Sequence, residues 1–179
     1  MPYNISFISL GCAKNQVNCE QMMASVQAAG HTIQAQPEGA DVVVVNTCGF
    51  LQSACEEAID NILEMAELKR AGQVQKILVT GCMTQRYKQD VLNELPEVDG
   101  ILGTGSYGDI CAAIDEVMAG SGLRPCHLGN IHTAPQDGGR ILSTPPWYAY
   151  LSSADGCDNH CDYCVIPSLR GKYRSRPME

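Results

Sequence analysis

No apolar run in this chain approaches the length needed to span a bilayer. The N-terminus also lacks a basic stretch followed by an apolar core and a small-residue cleavage site, so it does not read as a secretory signal. On these grounds the chain is expected to have no membrane partner and to reside in the cytoplasm. In that reducing compartment, closely spaced cysteines favour metal binding or catalysis over disulfides. Positive charge is scarce as well. The formal net charge is -8 over 179 residues, and the imbalance is uneven. Residues 1–155 hold 8 basic and 17 acidic side chains, whereas residues 156–179 hold 4 and 3. An acidic body argues against broad, nonspecific nucleic-acid binding. The sequence has no internal repeat and no low-complexity segment. His31, His127 and His132 have no nucleophile or acid at triad-like spacing, and they read as surface or turn residues.

What the chain does have is alternation. Tyr3–Ser9, a short HTIQA stretch, the β-branched run DVVVVNT, Gln75–Thr80 and VDGILG read as strands. Helical periodicity falls between them, over about 15–29, 53–70, 84–95 and 107–119. Ser53 with Glu56 has the form of a capping box. Lys69 and Arg70 suit the negative end of the second helix's dipole. This order predicts an α/β domain over residues 1–120, a parallel sheet with helices on both faces. Residues 121–145 are rich in Gly, Pro and Ser and read as a linker with room for one short hairpin. WYAYLSSADGC then reads as a new strand. Only 15 residues follow Cys164, too few for a second core, so residues 146–179 are expected to be an incomplete domain.

The ten cysteines sort into groups. Cys157, Cys161 and Cys164 form a CxxxCxxC set. Thiolates are soft ligands that suit iron–sulfur centres or zinc. Three ligands in one loop can hold three irons of a four-iron cube and leave the fourth open. A structural zinc wants four ligands and would have to borrow one, such as His160. Free thiols in a polar loop are the third reading. Cys12, Cys48 and Cys82 share a context: each lies just past a predicted strand. In a parallel sheet those carboxyl ends share one edge, where such folds place their sites. Gly11, Gly49 and Gly81 flank them. The three are then either a dispersed site or small turn residues, and position alone does not choose. Cys19, Cys55 and Cys111 fall on helical apolar stripes and read as core. Cys126 reads as an inert strand residue. RGKYRSR, residues 170–176, carries four positive charges. It reads as a solvated face, as a partner for an anion, or as a substrate contact.

SLGCAKNQVNCE (residues 9–20), NTCGF, TGC and GCDNHCDYCVIPSLRGKYRSR, in that order, resemble the radical S-adenosylmethionine methylthiotransferases. They are most similar to the branch that modifies a ribosomal protein. The resemblance covers the whole chain, with one departure: Asn18-Cys19 stands where the family usually has Asp-Ser. It implies a methylthiotransferase N-terminal α/β domain followed by the truncated start of a radical S-adenosylmethionine (β/α) barrel. It also implies two [4Fe-4S] clusters, one on Cys157, Cys161 and Cys164 with S-adenosyl-L-methionine, the other on Cys12, Cys48 and Cys82. Tyr163 matches the position that packs near the cofactor's adenine. The implied reaction is radical insertion of a methylthio group at the β-carbon of an aspartate in a small-subunit ribosomal protein. An electron donor such as a flavodoxin or ferredoxin is implied as well. The alternatives are an adenosine of transfer RNA as substrate and a non-catalytic zinc-binding interaction domain. The isolated fragment is expected to be inactive.

Overall fold

The computed structural model describes residues 2–120, 122–132 and 138–177. Parts of the expected linker, residues 121 and 133–137, and the last two residues of the expected barrel start lie outside the described residues. Six strands form the main sheet: β1 (Asn4–Ser9), β2 (Thr32–Gln34), β3 (Val42–Thr47), β4 (Lys76–Gly81), β5 (Gly100–Leu102) and β6 (Cys126–His127). Their spatial order is β2-β1-β3-β4-β5-β6. Every neighbouring pair is parallel.

The β3 run shows why the sheet is two-sided. All six of its residues are buried. Side chains alternate across a strand, so Val43 and Val45 pack on one face and Val42 and Val44 on the other. Each fully buried valine contributes about 2 kcal/mol relative to exposure. The first face is covered by α2 (Gln52–Arg70), α3 (Cys82–Arg86) and α4 (Lys88–Glu94), through Ala58, Ile62, Met83 and Val91. The second is covered by α1 (Ala13–Ala28) and α5 (Ile110–Ala119), through Met22, Val26, Ile114 and Val117. The predicted parallel sheet with helices on both faces is the observed architecture.

Four local expectations change. The segment expected to be one helix over 84–95 is two, because the Tyr87 backbone leaves helical geometry (φ -119°, ψ 33°) and its ring packs partly buried against the core. Ser53 is not a cap. Helix α2 starts at Gln52 after an extended Leu51, with no side-chain cap, and Gln52 Nε2 donates to Glu56 Oε1 at 3.0 Å. Among the described residues the linker contributes β6, a strand paired with β5, and no hairpin. WYAYLSSADGC forms a strand only at β7 (Ala154–Asp155), antiparallel to β8 (Arg174–Ser175). Trp147, Tyr148, Tyr150 and Leu151 are exposed and lie outside the strands.

Glu20 fastens the later chain to the domain. Its side chain is buried in α1. It accepts Arg140 Nε on Oε2 at 3.1 Å, and the Ser143 N–H and hydroxyl on Oε1, each at 2.9 Å. Burial acts to raise its carboxyl. The hydrogen bonds from Ser143 and Arg140 and the Arg140 charge outweigh that, and hold it below the usual carboxylate range.

Candidate functional site

Strand order reverses between β1 and β3, and the crevice outside the carboxyl ends at such a switch is the usual ligand position in this architecture. Cys12 follows β1 as the N-cap of α1. Cys48 follows Thr47, the last residue of β3. Cys82 follows Gly81, the last residue of β4, and opens α3. The register ties these ends together, with Ser9 opposite Asn46 and Thr47 opposite Gly81.

The glycines measure how closely the three turns approach. A Cβ on Gly11 would lie 2.8 Å from Cys48 Cβ, and one on Gly49 would lie 2.7 Å from the Cys82 carbonyl carbon. One on Gly81 would strike the Thr47 carbonyl. Gly11 and Gly81 also have φ of +93° and +107°, a region that side chains with a Cβ rarely enter. The three strand-end cysteines therefore share one edge, as their common context suggested. Cys12 is exposed, Cys48 half-buried and Cys82 buried.

Buried amides lash the turns. Asn15 Nδ2 donates to the carbonyls of Leu10 (3.1 Å) and Thr47 (2.9 Å), and Asn46 Nδ2 donates to the Asn15 carbonyl at 2.7 Å. The Thr47 hydroxyl donates to Thr80 O at 2.6 Å, and Arg86 Nη1 to Gly49 O at 2.9 Å.

Arg170 completes this edge from the far end of the chain. It lies at the end of α6 (Ile166–Arg170) and is 4% exposed. Nη2 donates to Asn15 Oδ1 at 2.7 Å and contacts Cys82 Sγ at 3.6 Å. Nη1 donates to Asn18 Oδ1 at 2.7 Å and lies 3.5 Å from Asp155 Oδ2. Burial raises the Cys82 thiol, and the Arg170 charge and hydrogen bond oppose it. A cavity of about 210 Å³ adjoins this group, lined by Lys14, Asn18, Tyr107, Asp155, Arg170 and Arg174 among others. The Tyr107 hydroxyl is buried without a hydrogen-bond partner, and burial raises its pKa.

The second set lies in the loop between β7 and α6. Cys157 and Cys164 are half-buried and Cys161 is exposed. The Cys157 N–H donates to Gly171 O at 3.1 Å, and Cys164 N–H to Cys161 O at 3.0 Å. Tyr163 is 86% exposed, and His160 is exposed. Among the described residues no three His, Cys, Asp or Glu side chains are grouped to hold one metal ion. A multi-iron cluster takes one thiolate per iron.

The other thiols fall as follows. Cys19 is buried, and desolvation pushes its thiol up to about 12. Cys111 is half-buried, its thiol 3.6 Å from Ser25 O. Cys55 packs partly against the core, and its thiol also reaches Cys48 O at 3.6 Å, so it borders the strand-end site. Cys126 is exposed within β6. His31 stacks on Tyr3, and His127 lies 3.2 Å from Glu116. Sequence reasoning missed Asn15, Asp155 and Tyr107 and left Arg170 unassigned. The one available signal was a polar Asn15 in register with the buried stripe of α1.

The family described as "Uncharacterized protein family UPF0004" matches residues 4–103. The protein named ribosomal protein uS12 methylthiotransferase RimO of Syntrophomonas wolfei is 49% identical over 176 residues, 98% of this chain and 40% of that protein. The protein of the same name from Clostridioides difficile is 45% identical over 176 residues, 98% of this chain and 39% of that one. The chain thus spans about 40% of the length of these curated relatives. Among solved structures, the radical S-adenosylmethionine methyltransferase TsrM of Kitasatospora setae, with cobalamin and a [4Fe-4S] cluster bound, superposes with a TM-score of 0.59 at 10% identity. That match covers 99% of this chain and 44% of TsrM, and it is a likeness of fold. On the span of the family match, this chain belongs to the UPF0004 family.

Proposed function

We propose that this chain carries the two cysteine sites of a methylthiotransferase that modifies the β-carbon of an aspartate in ribosomal protein uS12. The observation that carries the reading is the gathering of the Cys12, Cys48 and Cys82 turns on one sheet edge, bound through Arg170 to the segment that follows the CxxxCxxC loop. The relatives bearing the uS12 methylthiotransferase name supply the substrate.

The donor set fits two [4Fe-4S] clusters. Each site offers three soft thiols, the ligand type that suits such clusters. Gly11, Gly49 and Gly81 keep the strand-end turns clear of side chains that would crowd a bulky group. In this reading Cys157, Cys161 and Cys164 hold the cluster that takes S-adenosyl-L-methionine, and Cys12, Cys48 and Cys82 hold the second. The chemistry supplied by such clusters when bound is one-electron cleavage of S-adenosyl-L-methionine and provision of sulfur.

The chain's own residues then orient and screen. The exposed Tyr163 ring offers an apolar face to an adenine. Asn15 and Arg170 fix Cys82 in a buried, water-poor position. Residues 1–120, together with the β6 strand that the 121–145 segment adds to their sheet, act as the α/β domain, and residues 146–179 open a second, barrel-type domain. The electron is supplied by a donor such as a flavodoxin or ferredoxin, and the enzyme works in the cytoplasm. No helix among the described residues is long and apolar enough to cross a membrane.

The test is a transfer assay on a protein of the relatives' full length, with uS12 and transfer RNA offered separately. Mass spectrometry should find the added methylthio group on the uS12 aspartate, while the 179-residue chain alone turns over neither substrate. Modification of transfer RNA alone would overturn the substrate, and modification of neither would overturn the reaction.

A further inference from the structure

Arg170 belongs to none of the six candidate ligands, yet it is among the most deeply buried charges in the protein. Its surroundings are defined from every side. Asn15 and Asn18 face it from α1, Cys82 from the start of α3, and Asp155 from β7. Among the described residues the only carboxylate in direct contact is Asp155, which is shared with Lys14 at 3.6 Å and Arg174 at 4.0 Å. The cation is therefore incompletely neutralised by its partners. The backbone around it is also fixed: Arg174 Nη2 donates to Arg170 O at 3.1 Å, and the Thr104 hydroxyl donates to Leu169 O.

We propose that Arg170 is a positioning residue for the group held by Cys12, Cys48 and Cys82, a permanent cation clamped against Cys82 that raises the reduction potential of that site. The inference rests on the iron–sulfur reading given above. The physical basis is charge. One-electron reduction adds a negative charge to the thiolate-bound group, and no proton or leaving group balances it. A guanidinium 3.6 Å from a ligand sulfur favours the more negative state, and low dielectric strengthens the effect. Cluster potentials respond to net charge and to hydrogen bonds at the sulfurs. Arg170 supplies both through one nitrogen. It also lies six residues after Cys164, so the correct potential depends on α6 being docked. The charge at one cysteine site thereby reports the seating of the chain that carries the other.

The test is an anaerobic dithionite titration of the 179-residue chain reconstituted with iron and sulfide. The background carries Cys157→Ala, Cys161→Ala and Cys164→Ala, so only the strand-end site loads. Arg170→Gln keeps a donor toward Asn15 and removes the charge. It should load iron and show a midpoint lowered by a tenfold change in the reduction equilibrium, about 59 mV for one electron. Arg170→Lys should restore part of that loss. Asp155→Asn removes the opposing charge with little change of shape, and its midpoint should rise. Shifts of opposite sign are not produced by a merely structural role. Asp155→Asn carries the test alone if Arg170→Gln does not fold. Loaded variants with unchanged midpoints, or midpoints moving in the same direction, overturn the role of Arg170. A background protein that binds no iron overturns the cluster reading itself.

Discussion

Arg170 Nη2 stands 3.6 Å from Cys82 Sγ across 88 positions of sequence, and the same nitrogen is hydrogen-bonded to Asn15 at 2.7 Å. One guanidinium thus joins α1, the start of α3 and α6. Arg170→Met should destabilise the chain by about 3 kcal/mol, the cost of leaving buried partners uncompensated. Denaturant unfolding measures this. A loss well below about 1 kcal/mol would mean the partners are satisfied without it.

The glycines at the strand ends should be intolerant in proportion to their surroundings. Gly81→Ala meets the Thr47 backbone at φ +107° and should cost upward of about 2 kcal/mol. It should also reduce iron uptake at the strand-end site. Gly72 has φ +73° but no atom within 4 Å of the added Cβ. Gly72→Ala should cost only about 1 kcal/mol and leave iron uptake unchanged. Equal effects of the two substitutions would separate the turn geometry from the site.

Acid should release the segment held by Glu20. Its folded carboxyl is lowered, so its contribution is fully present above the unfolded value of about 4.3. The contribution is then lost as pH falls through the lowered folded value. Glu20→Gln should lower stability at pH 7 by about 3 kcal/mol and flatten the dependence below pH 4.3. Thermal unfolding at pH 7 and in the acid range checks this. An unchanged acid profile in the variant would remove Glu20 as the anchor.

Thiol reactivity should follow exposure and thiolate fraction. In the apo chain under reducing conditions, iodoacetamide should modify exposed Cys12, Cys126 and Cys161 early. Buried Cys19, its thiol pushed up to about 12, should react last. Cys19→Ala should leave iron loading unchanged. Peptide mapping over time gives the order, and early modification of Cys19 would contradict its burial in α1.

The parts of this molecule legible in the sequence are those written in neighbouring residues. Val42–Val45 announce a two-faced strand, because only a sheet covered on both sides buries every residue. Cys157, Cys161 and Cys164 announce a site by their spacing. Cys12, Cys48 and Cys82 carry no local spacing signal: topology puts them on one edge, since each follows a strand and parallel strands end together, and the family resemblance marks them as ligands. Arg170 was visible as charge but not as a contact, because its partners Asn15 and Cys82 lie 155 and 88 positions away. The WYAYLSSADGC stretch misled because β propensity is expressed only where a partner strand is at hand. Here β8 offers two residues. The helix start was likewise displaced, from Ser53 to Gln52 after an extended Leu51.

The central claim is that two separate thiol triads each hold an iron–sulfur cluster. Iron, acid-labile sulfide and zinc should be measured in the anaerobically reconstituted chain, beside Cys12→Ala/Cys48→Ala/Cys82→Ala and Cys157→Ala/Cys161→Ala/Cys164→Ala. The account predicts about eight irons with matching sulfide in the parent, from two [4Fe-4S] clusters, and about four in each triple variant. Stoichiometric zinc without sulfide, or iron that one triple substitution removes entirely, would contradict it.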